Sequence, residues 1–242
     1  MKTKLLTIAT MVALMLTATT KGQAQTPCLP QMHGLTEHQS ALCGITQTIA
    51  LATGWNWFSL PIEAENPTAA LLMLEEALGG NALQIKARTG QYTEYDDEEW
   101  FGTLTGITNE NMYMIEMANA YTIELQGQPA NPATYEISIA PGWNWIGFPS
   151  TVAMSVADAF ADFEAEEDDE LKGRIDGSTF FDGDEWFGGL TTLTPGQGYM
   201  YNSVSSETKT LVISTGAKTR RAYPNFGKIT KQPIEVIPTE GD

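Results

Sequence analysis

Histidine, cysteine and basic side chains are scarce in this 242-residue chain, and each shortage removes a class of function. The two histidines, His33 and His38, and the two cysteines, Cys28 and Cys43, all stand within the first 43 residues. A Ser-His-Asp or Cys-His arrangement would have to reach from that segment into the rest of the molecule. P-loop, dinucleotide-fingerprint, H-E-x-x-H and G-x-S-x-G patterns are missing as well. Carboxylates are plentiful, but abundance alone does not make a glycosidase pair. The expectation is a protein that is not an enzyme, with a small glycoside hydrolase as the minor alternative.

Positive charge is short where it would matter for a polyanionic partner. The chain has 30 acidic and 13 basic residues. Between residues 49 and 216, 26 acids face only Lys86, Arg88, Lys172, Arg174 and Lys209. A body at −21 repels phosphate backbones, which excludes nucleic acid as a natural partner. The sign reverses only beyond Gly216, where Lys218, Arg220, Arg221, Lys228 and Lys231 fall without an intervening acid. Residues 217–242 are read as a solvated tail or linker.

Long apolar runs are also lacking. The best, Leu5–Thr17, is well short of the roughly 20 residues that span a bilayer as a helix. It follows Lys2 and Lys4 and precedes Gly22-Gln23-Ala24, the pattern of a cleaved export signal over residues 1–25. The mature protein is expected to be secreted, surface-bound or periplasmic, without a transmembrane segment. Export makes a Cys28–Cys43 disulfide the first expectation for the segment 26–48. It would close a loop of about 15 residues and contribute ~3 kcal/mol. A zinc site of Cys28, His33, His38 and Cys43 is the alternative, although that spacing matches no familiar finger.

What is present in quantity is tryptophan, and it repeats. Gly54-Trp55-Asn56-Trp57-Phe58-Ser59-Leu60-Pro61 recurs 88 residues later as Gly142-Trp143-Asn144-Trp145-Ile146-Gly147-Phe148-Pro149. Glu99-Trp100-Phe101-Gly102 recurs 86 residues later as Glu185-Trp186-Phe187-Gly188. Thr108–Met114 matches Thr194–Met200 at the same shift, and all six tryptophans lie in these blocks. Three matched blocks in fixed order are a duplication. The repeats span 49–128 and 136–216, with Gln128–Ala133 as the link.

Each repeat opens with a strand ended by Pro61 or Pro149. Trp55 and Trp57 share one face and Phe58 and Leu60 the other, and both faces are expected to be buried. A helix follows: Ala69–Leu78 capped by Thr68 in the first copy, and a segment opened by Ser155 and Asp158 in the second. Short β-type runs come next. In the first copy they are Leu83–Ala87, Gln91–Tyr95, Trp100–Leu104, Tyr113–Glu116 and Tyr121–Leu125. In the second they are Lys172–Ile175, Thr179–Phe181, Trp186–Leu190, Tyr199–Tyr201 and Thr210–Ile213. The fold class is α+β: two tandem small domains, each a mainly antiparallel sheet with one short helix.

The series G-W-N-W-[FI]-[SG], helix, E-W-F-G and P-G-x-G-Y resembles tandem repeats of secreted and surface proteins of Gram-negative gut bacteria. The resemblance covers roughly residues 49–216. It implies an extracellular accessory or surface module and carries over no catalytic residue. The first copy departs at Asn109-Glu110-Asn111-Met112, where the second keeps Pro195-Gly196-Gln197-Gly198, so the two turns must differ in backbone geometry.

Two candidate sites follow. Aromatic rings can stack sugars, and Trp100 and Trp186, each after an acidic turn, are the favoured platform, with Tyr95 and Phe181 beside them. Trp55, Trp57, Trp143 and Trp145 are read as core, because small domains need large apolar side chains. The second candidate is Ca²⁺ at the acidic turns, through Asp96 and Asp97 and through Asp182 and Asp184, against a solvated hairpin and without an EF-hand pattern. No other cofactor is expected. Glu164–Glu170 reads as a solvated helix end or loop. The function expected is binding or adhesion to a glycan or protein at the cell surface, with a structural spacer as the alternative.

Overall fold

The computed structural model describes residues 44–214, which belong to one compact unit. The export signal, Cys28, Cys43, His33, His38 and the basic tail lie outside the described residues, and so do the expectations placed on them. The described chain is mostly antiparallel sheet with one helix of three turns and one of a single turn, in keeping with an α+β class.

The first copy runs β1 (Ile45–Leu51), β2 (Gly54–Phe58), β3 (Ile62–Glu63), α1 (Pro67–Leu78), β4 (Ala82–Ala87), β5 (Tyr92–Asp96), β6 (Glu99–Gly102), β7 (Tyr113–Met117) and β8 (Tyr121–Pro129). The second runs β9 (Ile137–Ile139), β10 (Gly142–Ile146), β11 (Met154–Ser155), α2 (Val156–Ala159), β12 (Glu170–Lys172), β13 (Ser178–Phe181), β14 (Trp186–Gly188), β15 (Thr192–Leu193), β16 (Tyr199–Ser203) and β17 (Lys209–Leu211). Each copy builds a five-stranded sheet of the same order, β2-β7-β4-β5-β6 and β10-β16-β12-β13-β14. Each also pairs its opening strand with its closing one, and the register repeats: Ile49 faces Ile123 as Ile137 faces Leu211.

Each copy keeps its own apolar core. Phe58, Leu60, Leu74, Leu78, Ile85, Ile115 and Ile123 are buried together in the first. Ile146, Phe148, Phe160, Leu171, Tyr199 and Tyr201 are buried together in the second.

Several local expectations need correction. Asn66, not Thr68, caps α1, its side chain accepting from the Ala69 N–H at 2.9 Å. Pro67 then fits the first helical position, where its missing donor costs nothing. Thr68 sits inside the first turn and donates to the Thr105 carbonyl. Ser155 does cap α2, accepting from the Asp158 N–H at 3.1 Å, but that helix lasts only four residues. The strand expected at Lys172–Ile175 lies earlier, at Glu170–Lys172, because Gly173 and Gly177 close a turn over Arg174–Asp176. β1 and β9 were not foreseen, and β1 starts ahead of the expected boundary at residue 49. Their apolar residues are too few to stand out from flanking loop.

Glu164–Glu170 is a largely exposed loop, as expected, running into β12, but Asp169 within it is fully buried and accepts from the Tyr201 hydroxyl at 2.5 Å, the Val204 N–H at 2.8 Å and the Glu166 N–H at 2.9 Å. Burial, with the Asp169 carboxylate beside it, holds the Tyr201 hydroxyl firmly protonated. The segment Gln128–Ala133 is packed down: Ile62 faces Pro129, and buried Ala130 donates its N–H to the Pro61 carbonyl.

The two copies meet along a seam that treats both alike. Phe58 at the end of β2 bridges Gln197 of the second copy, and Ile146 at the end of β10 bridges Asn111 of the first. These pairs are related by the same shifts as the sequence blocks, so the contact is isologous. Gly198 N–H donates to the Trp57 carbonyl, Ser59 N–H to the Gly196 carbonyl, and Gly147 N–H to the Glu110 carbonyl. Buried Ser59 also donates its hydroxyl to the Gln197 carbonyl at 2.7 Å and accepts from the Phe148 N–H.

At the centre of the seam the copies differ in a complementary way. A Cβ on Gly198 would run into the side chain of buried Met112, the residue at its own matched position in the first copy. One glycine therefore admits one methionine. The turns differ as expected: Gly196 has φ +82° within a Pro-Gly turn closed by Gln197 N–H to the Thr194 carbonyl, whereas Glu110 does not adopt positive φ.

Candidate functional site

The glycine and asparagine of the repeated G-W-N-W block are structural. Gly54 and Gly142 take φ near +80° at the turn entering β2 and β10, a conformation that favours glycine. Buried Asn56 accepts from the Ala52 N–H and donates to the Ala52 and Gly54 carbonyls. Asn144 repeats all three bonds with Ala140 and Gly142. The tyrosine of the last block is structural too, since the Tyr113 and Tyr199 hydroxyls accept from the Thr108 and Thr194 N–H groups.

With Asn56 and Phe58 facing inward, strand alternation sends Trp55 and Trp57 outward. The reading of Trp55, Trp57, Trp143 and Trp145 as core is therefore overturned. Trp55 and Trp143 are 38 % and 42 % exposed, and Trp57 and Trp145 are half-buried. The polar asparagine, needed inside to hold the turn, takes the buried phase of the strand and leaves the indoles the open one.

Cross-strand register carries this outward face across each sheet. In the first copy one row reads Trp55, Glu116, Gln84, Glu94, Phe101. Its counterpart reads Trp143, Asn202, Glu170, Phe180, Phe187. A parallel row holds Trp57, Met114 and Lys86, matched by Trp145, Met200 and Lys172. Phe101 and Phe187 are exposed, and the Lys172 ammonium stands 6.0 Å from the centre of the Trp143 ring. Each copy thus presents a sheet face with aromatic rings at both edges and a lysine among polar side chains between them.

The favoured quartet is assembled by the hairpins as expected, but on the inner side. Tyr95 faces Trp100 across β5 and β6 with ring centres 5.4 Å apart, and Phe181 faces Trp186 across β13 and β14 at 5.3 Å. Both tryptophans are half-buried and pack on the cores of their copies. Trp186 is held by Phe160 and Tyr201 as well. Trp100 instead borders an open cavity of about 510 Å³ with Leu72, Glu75, Glu98, Glu99 and Tyr95. Its buried indole N–H has no hydrogen-bond partner among the described residues. Burial raises the Glu75 carboxyl above its ordinary value, against a lowering hydrogen bond from the Thr93 hydroxyl at 3.1 Å.

The acidic turns are hairpin tips. Asp97 and Glu98 both take positive φ, the geometry of a two-residue turn, and Asp96 accepts from the Asp97 N–H. In the second copy Asp182 accepts from the Asp184 and Glu185 N–H groups at 3.0 and 2.9 Å. Those bonds hold its carboxyl below the usual aspartate range. Among the described residues no group of three or more His, Cys, Asp or Glu side chains is placed to hold a metal ion. No described helix is long and apolar enough to cross a membrane. Comparison with family models, with curated proteins and with solved structures returned no match for this chain.

Proposed function

We propose that this chain is a secreted or cell-surface, non-catalytic binding module that uses its outward aromatic sheet faces to hold glycan. The observation that carries this reading is the division of labour within G-W-N-W. Glycine and asparagine are accounted for by the turn, whereas Trp55 and Trp143 stay substantially exposed in both copies. Exposed indoles recur at matched positions, with Phe101 and Phe187 at the far edge of the same faces and polar side chains between, an arrangement that offers rings for stacking and hydrogen-bonding groups for sugar hydroxyls. The fold can hold them there because β2 and β10 each pair along their whole length with the neighbouring strand.

The test is a glycan array probed with the wild-type protein and with Trp55→Ala/Trp143→Ala. Selective retention that disappears in the double variant, at unchanged melting temperature, supports the reading. Retention that survives both substitutions sinks it.

A second reading, a spacer without its own ligand, is favoured by the seam, which locks the copies through backbone hydrogen bonds as a spacer would require. It predicts no selective retention on any array and no partner recovered by cross-linking through the aromatic faces.

A further inference from the structure

The isologous seam generates two equivalent cavities, and only one of them keeps its positive charge unopposed. The first, of about 270 Å³, takes Ile49–Ala52 and Trp57 from the first copy and Arg174, Ile175 and the Gly196–Gly198 turn from the second. Its counterpart, of about 280 Å³, takes Trp145, Ile137 and Glu136 from the second copy and Arg88 and Glu110 from the first, so two carboxylates share the lining with that arginine. Arg88 and Arg174 occupy matched positions 86 residues apart, so the tryptophan–arginine pair belongs to the repeat itself.

The acids are what differ. The positions of Glu110 and Glu136 are held in the other copy by Gly196 and Thr48. The first cavity is thereby lined by one guanidinium and no carboxylate, in a body of 26 acids and five bases. Arg174, like Arg88, makes no hydrogen bond or ion pair within the described residues, where the one salt bridge is Lys209 to Glu166, and what sets Arg174 apart is a lining without carboxylates. A guanidinium with an uncommitted fork suits a carboxylate, which it can take through two parallel bonds. The indole of Trp57 supplies a planar wall, and the apolar strand end Ile49–Leu51 supplies the floor. The volume is at the lower end for ligand sites and accommodates one ring, not a chain.

We propose that this seam cavity binds a carboxylate-bearing sugar ring, with Arg174 taking the carboxylate and Trp57 stacking on the ring. The proposal rests on the glycan-binding reading above and narrows it to acidic sugars. It also gives the duplication a role, because neither copy alone supplies both residues.

The experiment is ligand-observed NMR on the purified full chain with glucuronate and N-acetylneuraminate, against glucose and acetate as the uncharged-ring and ringless controls. Saturable binding of an acidic sugar is expected, with both controls much weaker. Arg174→Gln should weaken it about ten- to a hundred-fold, and Arg88→Gln should leave it unchanged. Arg174 is exposed and unbonded, so melting temperature should not move. Thr48→Glu, which restores the acid found in the other cavity, should weaken binding as Arg174→Gln does. Binding that ignores Arg174→Gln, or that falls equally with Arg88→Gln, overturns the proposal. Glucose binding as well as the acidic sugars overturns the acidic preference while leaving the glycan reading intact. Binding of neither acidic sugar overturns the proposal, and the glycan reading then stands or falls on the array with Trp55→Ala/Trp143→Ala.

Discussion

The two copies build sheets of the same strand order but back them differently. In the first, the three-turn helix α1 lays Leu71, Leu74 and Leu78 onto an aliphatic core. In the second, α2 is a single turn, and the space is taken by rings: Phe160 stacks on Tyr201 at 5.7 Å, with Phe163 and Trp186 edge-on around them. Tyr201 brings a hydroxyl into that core, and buried Asp169 answers it; the matched positions in the first copy are Ile115 and Leu83. The strand order, the turn asparagines and the outward tryptophans are identical in kind despite this. What the two copies keep in common is thus the framework and the outward tryptophans, while the core was free to be repacked.

That contrast can be broken most severely at Asp169. Replacing it with alanine strands a buried hydroxyl and two N–H groups, so Asp169→Ala should cost about 3–5 kcal/mol in denaturant unfolding. Leu83→Ala, at the matched exposed position of the first copy, should be nearly silent.

The seam offers a sharper comparison. Met112→Gly leaves a hole and Gly198→Met overfills the same space, each costing about 2–3 kcal/mol. The double exchange, which moves the methionine to the other copy, should recover much of the loss in a double-mutant cycle. Strictly additive losses would mean that the two positions do not share one space.

Glu75 separates the copies by pH. Its raised carboxyl means that the folded state binds protons more tightly than the unfolded one. Its contribution is therefore present at low pH and lost as pH rises through the window above 4.5. Glu75→Gln should flatten that decline in unfolding experiments run across the window. The smallest effect is at the hairpin tips. The second copy needs positive φ only at Gly183, at +97°, whereas the first places two non-glycine residues there, Asp97 at φ +47° and Glu98 at φ +71°. Glu98→Gly should stabilise by about 1 kcal/mol, read as a higher melting temperature.

Much of this architecture was legible in the sequence. The duplication, the Ser155 cap, the pairing of Tyr95 with Trp100 and of Phe181 with Trp186, and most strands of the first copy follow from spacing and turn chemistry. The phase of the G-W-N-W strand did not. Tryptophan outranks asparagine in any hydrophobicity argument, yet the asparagine went inside because three backbone groups at the turn needed a partner. The signal that could have shown it was Asn at the same place in both copies, two residues after a glycine. Asp169 was hidden in the same way, as one of six acids in a run whose partner lies 32 residues on. The seam cavities could not be read at all, since each joins residues of both copies, and in the first cavity Trp57 and Arg174 stand more than a hundred positions apart.

The most direct test of the central claim, that the repeated tryptophans form a surface, is acrylamide quenching of intrinsic fluorescence. The wild-type protein should show a readily quenched fraction, and Trp55→Phe/Trp143→Phe should remove most of it without lowering the melting temperature. A protein whose emission resists quencher from the start, or a double variant that unfolds, would place those indoles in the core and contradict the account.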